Sequence, residues 1–282
     1  MIHADHEQDI QALLPKGGDA AGTTRRTALK AALGVGYAAS VMPVMAQTAI
    51  KTNTQGLVAG EVMIDVAGFA MPAYRAAPSG KRDLPVVLVL SEIFGVHEYI
   101  ADTVRRLAHA GYLAIAPELF VRQGDAQSYG EMAKLIAEVI SKVPDAQVMA
   151  DLDATVRWAG EHGGNLNKVA VTGFCWGGRQ TWMYAAHNPR VKAGVAWYGR
   201  LVGQTSDLTP RHPVDIAGKL HGPVLGLYGQ EDTGIPVSTV AQMQNELAKG
   251  SVAAKASTFV LYPEATEDRK STRLNSSHLV IS

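Results

Sequence analysis

The chain has a single cysteine, Cys175, in 282 residues, so no internal disulfide can brace it. It carries no net charge, with 26 Lys and Arg balancing 26 Asp and Glu. That balance gives no reason to expect a nucleic-acid partner. The apolar stretch from Ala31 to Met45 is too short, and too rich in Ala and Gly, for a stable membrane span. There is no internal repeat and no sign of a second core. At 47% hydrophobic and 18% charged, the composition suits one soluble α/β domain of moderate size. Nothing in the residue pattern implies a metal or an organic cofactor.

The first residues read as an address rather than as part of the fold. Thr24-Arg25-Arg26-Thr27-Ala28-Leu29-Lys30 is a twin-arginine pattern, and the apolar stretch follows it. Val44-Met45-Ala46 then places small residues at the −3 and −1 positions for cleavage before Gln47. Residues 1–46 are therefore expected to be a twin-arginine signal peptide. The expected partner is the twin-arginine export machinery, and the expected location is the periplasm. Residues 47–58 read as a linker and 59–266 as the folded domain.

Within that domain the apolar pattern alternates between strand-like and helical. Glu61–Val66 and Met71–Ala76 are short strand candidates joined as a hairpin at 67–70. Leu84-Pro85-Val86-Val87-Leu88-Val89-Leu90 is continuous and β-branched, as a strand buried on both faces requires. Ile100, Val104, Leu107 and Ala108 recur at a helical period that Gly111 stops, and Tyr112–Ala116 is the next strand. Met132, Leu135, Ile136, Val139 and Ile140 mark one helix, and Val148, Leu152, Val156 and Ala159 another, with Pro144 between them. Strands follow at 169–173, 191–198, 223–229 and 257–262, and a helix covers about 237–249. This alternation predicts a mostly parallel, doubly wound sheet with helices on both faces and with ligands at the carboxyl ends of the strands.

The chemistry is expected at Gly173-Phe174-Cys175-Trp176-Gly177-Gly178. The cysteine stands where an apolar strand gives way to a helix-compatible run, flanked at the spacing Gly-x-Cys-x-Gly. A nucleophile elbow needs that spacing, because the strand-to-helix turn is so sharp that a Cβ at either flank would clash. The turn would hold the side chain above the sheet at the positive end of the helix, where the dipole favours a thiolate. In such an elbow an acid follows the nucleophile in the chain. Asp232, in Gly229-Gln230-Glu231-Asp232, lies at the end of the next-but-one strand and is placed to orient an imidazole.

Glu92-Ile93-Phe94-Gly95, Glu118-Leu119-Phe120, the cysteine segment, Trp197-Tyr198-Gly199 and Tyr228-Gly229-Gln230-Glu231-Asp232 recur in an order that closely resembles the dienelactone hydrolase (carboxymethylenebutenolidase) family, over about 60–266. The resemblance implies an α/β-hydrolase fold that uses Cys instead of Ser. It implies Cys175 as nucleophile, Asp232 as triad acid, and Glu92 as the carboxylate that contacts the thiol and helps activate it. Ile93 and Trp176 match the residues whose N–H groups form the oxyanion hole, and Arg122 matches an arginine that binds the substrate carboxylate. The implied activity is cleavage of a lactone or small ester through an acyl-enzyme, with no cofactor and no metal. A general carboxylesterase, or a small-molecule-binding protein that has lost its base, would use the same scaffold.

The pattern breaks at the end. The family's histidine belongs in a run such as Ala-x-His-Gly-Phe after Leu261-Tyr262-Pro263-Glu264-Ala265-Thr266, and this chain has Glu267 there. Residues 267–282 turn to Ser, Arg and Asn without apolar period, and they resemble a translated sequencing-adapter fragment. They are expected to be a non-native tail, with the triad histidine and the last helix missing. His278 falls too late, in a segment with no element to hold it. His97 and His221 read as turn or helix-start residues. The expectation is a chain that is inactive for want of its imidazole.

Overall fold

The structure is a computed structural model and describes residues 51–263. The expected signal peptide, the position near 267 where the histidine is expected, and the expected non-native tail with His278 all lie outside the described residues.

Two antiparallel strands open the domain, β1 (Leu57–Val66) and β2 (Phe69–Pro78). The two residues between them, Ala67 at φ 51° and Gly68 at φ 89°, are both left-handed. That geometry matches the twist of a tight hairpin, and the Gly68 N–H donates to Asp65 Oδ1 at 3.0 Å. β1 begins at Leu57, inside the span read as a linker. β3 (Leu84–Leu90) then leads through a short loop to α1 (Glu98–His109) and β4 (Leu113–Pro117). α2 (Met132–Glu138) is shorter than its apolar period suggests, because the chain leaves the helix at Val139 and makes a single 3₁₀ turn at Ile140–Lys142. α3 (Asp145–Glu161) starts directly after Pro144. The remainder is β5 (Gly164–Phe174), α4 (Trp176–His187), β6 (Val191–Trp197), α5 (Pro213–Ile216), β7 (Val224–Gly229), α6 (Val237–Leu247), α7 (Val252–Lys255) and β8 (Thr258–Tyr262).

One eight-stranded sheet results, in the order β1-β2-β4-β3-β5-β6-β7-β8. All neighbours pair parallel except β1 with β2 and β2 with β4. The continuous apolar character of β3 follows from its place between β4 and β5. Val87 and Val89 point into a core with Ile100, Val104 and Ala108 of α1. Val86, Leu88 and Leu90 point the other way, into a core with Val148 and Leu152 of α3 and Trp182 of α4. Each fully buried aliphatic side chain contributes roughly 1.5–3 kcal/mol, so the period-2 alternation along β3 fixes which helix covers which face. The result is the doubly wound α/β arrangement expected from the sequence, and it brings the carboxyl ends of β3, β5, β6 and β7 to one edge.

Candidate active site

Cys175 occupies the corner between β5 and α4 with φ 52° and ψ −114°. A non-glycine residue holds such a conformation only where its surroundings over-determine it. Here its N–H donates to the Trp197 carbonyl at the end of β6 (3.0 Å), and its carbonyl accepts from the Arg179 N–H (3.1 Å). The flanking glycines let the turn close. A Cβ on Gly177 would lie 2.4 Å from the Leu90 carbonyl oxygen and 2.6 Å from that of Ser91, and one on Gly173 would lie 2.2 Å from the Gly177 carbonyl oxygen. The first turn of α4 thus lies against the end of β3, beside the loop that carries Glu92 and Ile93. Trp176 is the first residue of α4, so its N–H belongs to the donors that a helix leaves without an intrahelical acceptor. Its ring packs on Phe120 at 4.7 Å between centroids, and Ile93 is buried.

Glu92 lies two residues past the end of β3, and His97 turns back onto it. His97 Nε2 lies 3.1 Å from Glu92 Oε2, with the two side chains 13% and 16% exposed. The sequence reads His97 as a turn or helix-start residue; it is the residue before α1, and its ring does not cap the helix. Tyr198, just past β6, has φ 38°. Enclosure of its hydroxyl raises the Tyr198 pKa well above the ordinary tyrosine range, and charge on Glu92 and then on Cys175 adds to the effect. Tyr99 is pushed up to about 12, by burial first and Glu92 second. Glu92, Cys175, Tyr99 and Tyr198 therefore form one electrostatic neighbourhood. Sequence reasoning missed the two tyrosines and the His97–Glu92 contact. The available signal was a histidine five residues after the glutamate, with Gly95 between them to reverse the chain.

Asp232 is buried in the loop that follows β7. Its Oδ1 accepts the N–H groups of Gly234 (2.9 Å) and Ile235 (3.2 Å), which fixes the carboxylate by its own turn. The Gln230 N–H donates to the Tyr262 carbonyl at 3.0 Å, tying this loop to the end of β8. The chain leaving Tyr262 therefore starts beside the Asp232 loop.

Arg122 lies in the segment after β4, with its fork closed on α3. Nη1 and Nη2 donate to Asp151 Oδ2 and Oδ1 at 2.7 and 2.8 Å, and the guanidinium sits 4.2 Å from the centre of the Phe69 ring. Burial raises the Asp151 pKa, outweighing the opposing pull of Arg122. Near the Glu92 loop a cavity of about 520 Å³ is lined by Tyr74, His97, Gln127 and the carboxylates Glu61, Glu98, Glu118 and Asp125. Among the described residues no group of three or more His, Cys, Asp or Glu is placed to hold a metal ion. None of the described helices is long and apolar enough to cross a membrane.

This arrangement of strand, strained cysteine and helix can be set beside known proteins. The model of the "Dienelactone hydrolase family" matches residues 71–267. A protein of Methylorubrum extorquens named "Putative carboxymethylenebutenolidase" is 54% identical over 243 residues, covering 86% of this chain and 82% of its own. An Escherichia coli K12 protein of the same name is 48% identical over 231 residues, covering 82% of this chain and 84% of its own. The crystal structure of a "Putative Dienelactone Hydrolase" from Klebsiella pneumoniae superposes with a TM-score of 0.73 at 53% identity, covering 77% of this chain and 90% of that one. The match runs through the elbow and both carboxylate loops, and on that ground the chain belongs to the dienelactone hydrolase family, hydrolases that act on lactone and ester bonds.

Proposed function

We propose that the site of this protein is built to cleave a lactone or small ester with Cys175 as its nucleophile, once an imidazole is supplied after β8. The observation that carries the reading is the strained backbone of Cys175, held at the strand-to-helix corner by the Trp197 carbonyl and the Arg179 N–H. In the proposed reaction the thiolate adds to the substrate carbonyl, and the N–H groups of Ile93 and Trp176 receive the charge on its oxygen. The C–O bond then breaks, the leaving alkoxide takes a proton, and a thioester remains on Cys175. Water hydrolyses the thioester to the free acid. Glu92 helps activate the thiol, and Asp232, fixed by its own turn, orients the imidazole that the family supplies after β8.

With Glu267 at the position of that histidine, the chain lacks the base, and loss of a triad member removes several orders of magnitude in rate. The precursor is exported by the twin-arginine route and the protein works in the periplasm; the Arg25-Arg26 pattern supports this. The Arg122–Asp151 pair favours a second reading, a general carboxylesterase, because the guanidinium that would grip an anionic substrate already faces a buried carboxylate.

The test compares turnover of a dienelactone and a neutral ester. The chain of this sequence should show no turnover above its Cys175→Ala variant. A chain whose residues after Thr266 are replaced by the family's Ala-x-His-Gly-Phe loop and closing helix should turn over, and should lose that activity when the restored histidine is changed to alanine. Cys175-dependent turnover without the restored loop would mean that another residue supplies the base. A restored chain without activity would remove the hydrolase reading.

A further inference from the structure

The loop between β3 and α1 is built to fold back on itself. Gly95 sits at φ 73°, and the His97 N–H donates to the Gly95 carbonyl at 3.0 Å. The Glu118 carboxylate holds the loop from outside: Oε1 accepts the Val96 N–H, and a Cβ on Gly95 would lie 2.8 Å from Oε2. This reversal aims the His97 ring at Glu92 rather than at the start of α1, where its backbone carbonyl alone serves the helix by accepting from the Ala101 N–H. The ring also stacks on Tyr99 (6.3 Å between centroids, 21° between planes), and Tyr99 meets the edge of Phe174, the residue before the cysteine (5.9 Å, 67°). His97 is thus tied to both sides of the site, to Glu92 by a polar contact and to the elbow strand through Tyr99. The cavity that His97 lines is also lined by carboxylate residues of three elements: Glu98 of α1, Glu118 and Asp125 from beyond β4, and Glu61 of β1.

We propose that His97 is a positioning residue for Glu92: its Nε2–H holds the Oε2 oxygen so that the other carboxylate oxygen is presented to the Cys175 thiol. The proposal rests on the reading above, in which Glu92 acts on that thiol. A carboxylate at a strand end with a rotatable side chain has several orientations, and one hydrogen bond from a ring wedged against Tyr99 selects among them. His97 touches no reacting atom in this arrangement and acts only through Glu92.

Thiol alkylation tests this in the 282-residue chain itself, because Cys175 is its one cysteine and every thioether formed from a thiol, as located by peptide mass, is at the site. The rate of reaction with iodoacetamide near neutral pH is measured for the parent, Glu92→Gln, His97→Phe, His97→Gln and both double variants. Glu92→Gln should change the parent rate by roughly three- to tenfold, the effect of removing a carboxylate near a titrating thiol. In the His97→Phe background the same change should alter the rate by less than about twofold, because an untethered Glu92 no longer acts on the thiol. His97→Gln keeps an N–H donor at the Nε2 position and should retain most of the Glu92 effect. Melting midpoints identify any variant that fails to fold, and His97→Leu, which also lacks the donor, carries the comparison if His97→Phe does. An equal Glu92 effect in the parent and His97→Phe backgrounds overturns the positioning role alone. Loss of the Glu92 effect in His97→Gln as well shows that the ring, not the hydrogen bond, matters, and also overturns it. No Glu92 effect in the parent overturns both this proposal and the assignment of Glu92 to the thiol.

Discussion

Arg122 and Asp151 close on each other through two parallel hydrogen bonds of 2.7 and 2.8 Å, with the carboxylate fully buried and the guanidinium 22% exposed. The pair joins the segment after β4 to α3, so Arg122 has a structural duty whatever else it contacts. Arg122→Ala should lower stability by about 3–5 kcal/mol, because it strands a buried carboxylate. Asp151→Asn in the same chain should recover part of that loss, as read by denaturant midpoints. In a chain with the restored histidine, Arg122→Ala should also slow anionic lactones roughly tenfold more than neutral esters, if the guanidinium meets substrate. Equal losses on both would assign Arg122 to the Asp151 pair alone.

Glu118 supplies a pH dependence with a definite sign. Burial raises its pKa above the ordinary carboxylate value, against the lowering effect of the Val96 N–H. Its proton is therefore bound more tightly in the folded than in the unfolded chain. The stability this contributes is present at low pH and is lost as pH rises from the ordinary value of 4.5 through the raised folded value. Glu118→Gln removes the titration while keeping an oxygen for Val96. The melting point of the variant minus that of the parent should become more positive between about pH 4 and about pH 7. A difference that does not change with pH would mean that the carboxyl is not desolvated.

Gly177 tests the elbow. Its missing Cβ leaves room for the Leu90 and Ser91 carbonyl oxygens. Gly177→Ala must push α4 away from the end of β3, at a cost of about 1–3 kcal/mol by analogy with overpacked cores. The same shift displaces Trp176 and Cys175, so the alkylation rate of Cys175 should change along with the denaturant midpoint. Unchanged values of both would show that α4 does not approach β3 this closely.

Export is tested at the other end of the chain. Arg25 and Arg26 precede the apolar stretch and the small residues before Gln47. Changing both to Lys should leave the uncleaved precursor in the cytoplasm, as read by fractionation and size. Normal periplasmic recovery of that variant would remove the twin-arginine reading.

Much of this molecule was legible in the residues because its signals are local. The run from Leu84 to Leu90 announces a strand covered on both faces, and its bounds agree with those of β3. Gly173 and Gly177, on either side of Cys175, announce a turn that closes only without a Cβ at its flanks, and their contacts bear that out. What escaped was of two kinds. α5 and α7 are four residues each, too short for a 3.6-residue period to show. β1 begins at Leu57, within a stretch that reads as a linker, because strand pairing with β2 rather than local apolar pattern extends it.

The sequence by itself determined the order of the strands and of the longer helices and the place of Cys175 at a strand-to-helix corner, since each depends on spacing along the chain. Only the tertiary structure decided the partners of the charged side chains. Arg122 meets Asp151 across 29 positions, and His97 meets Glu92 because Gly95 and Glu118 together reverse the loop. A charged group reports in its own residue type that it needs an opposite charge or a polar contact. Which one it finds is settled by which elements the buried apolar faces bring together, and no local pattern carries that information.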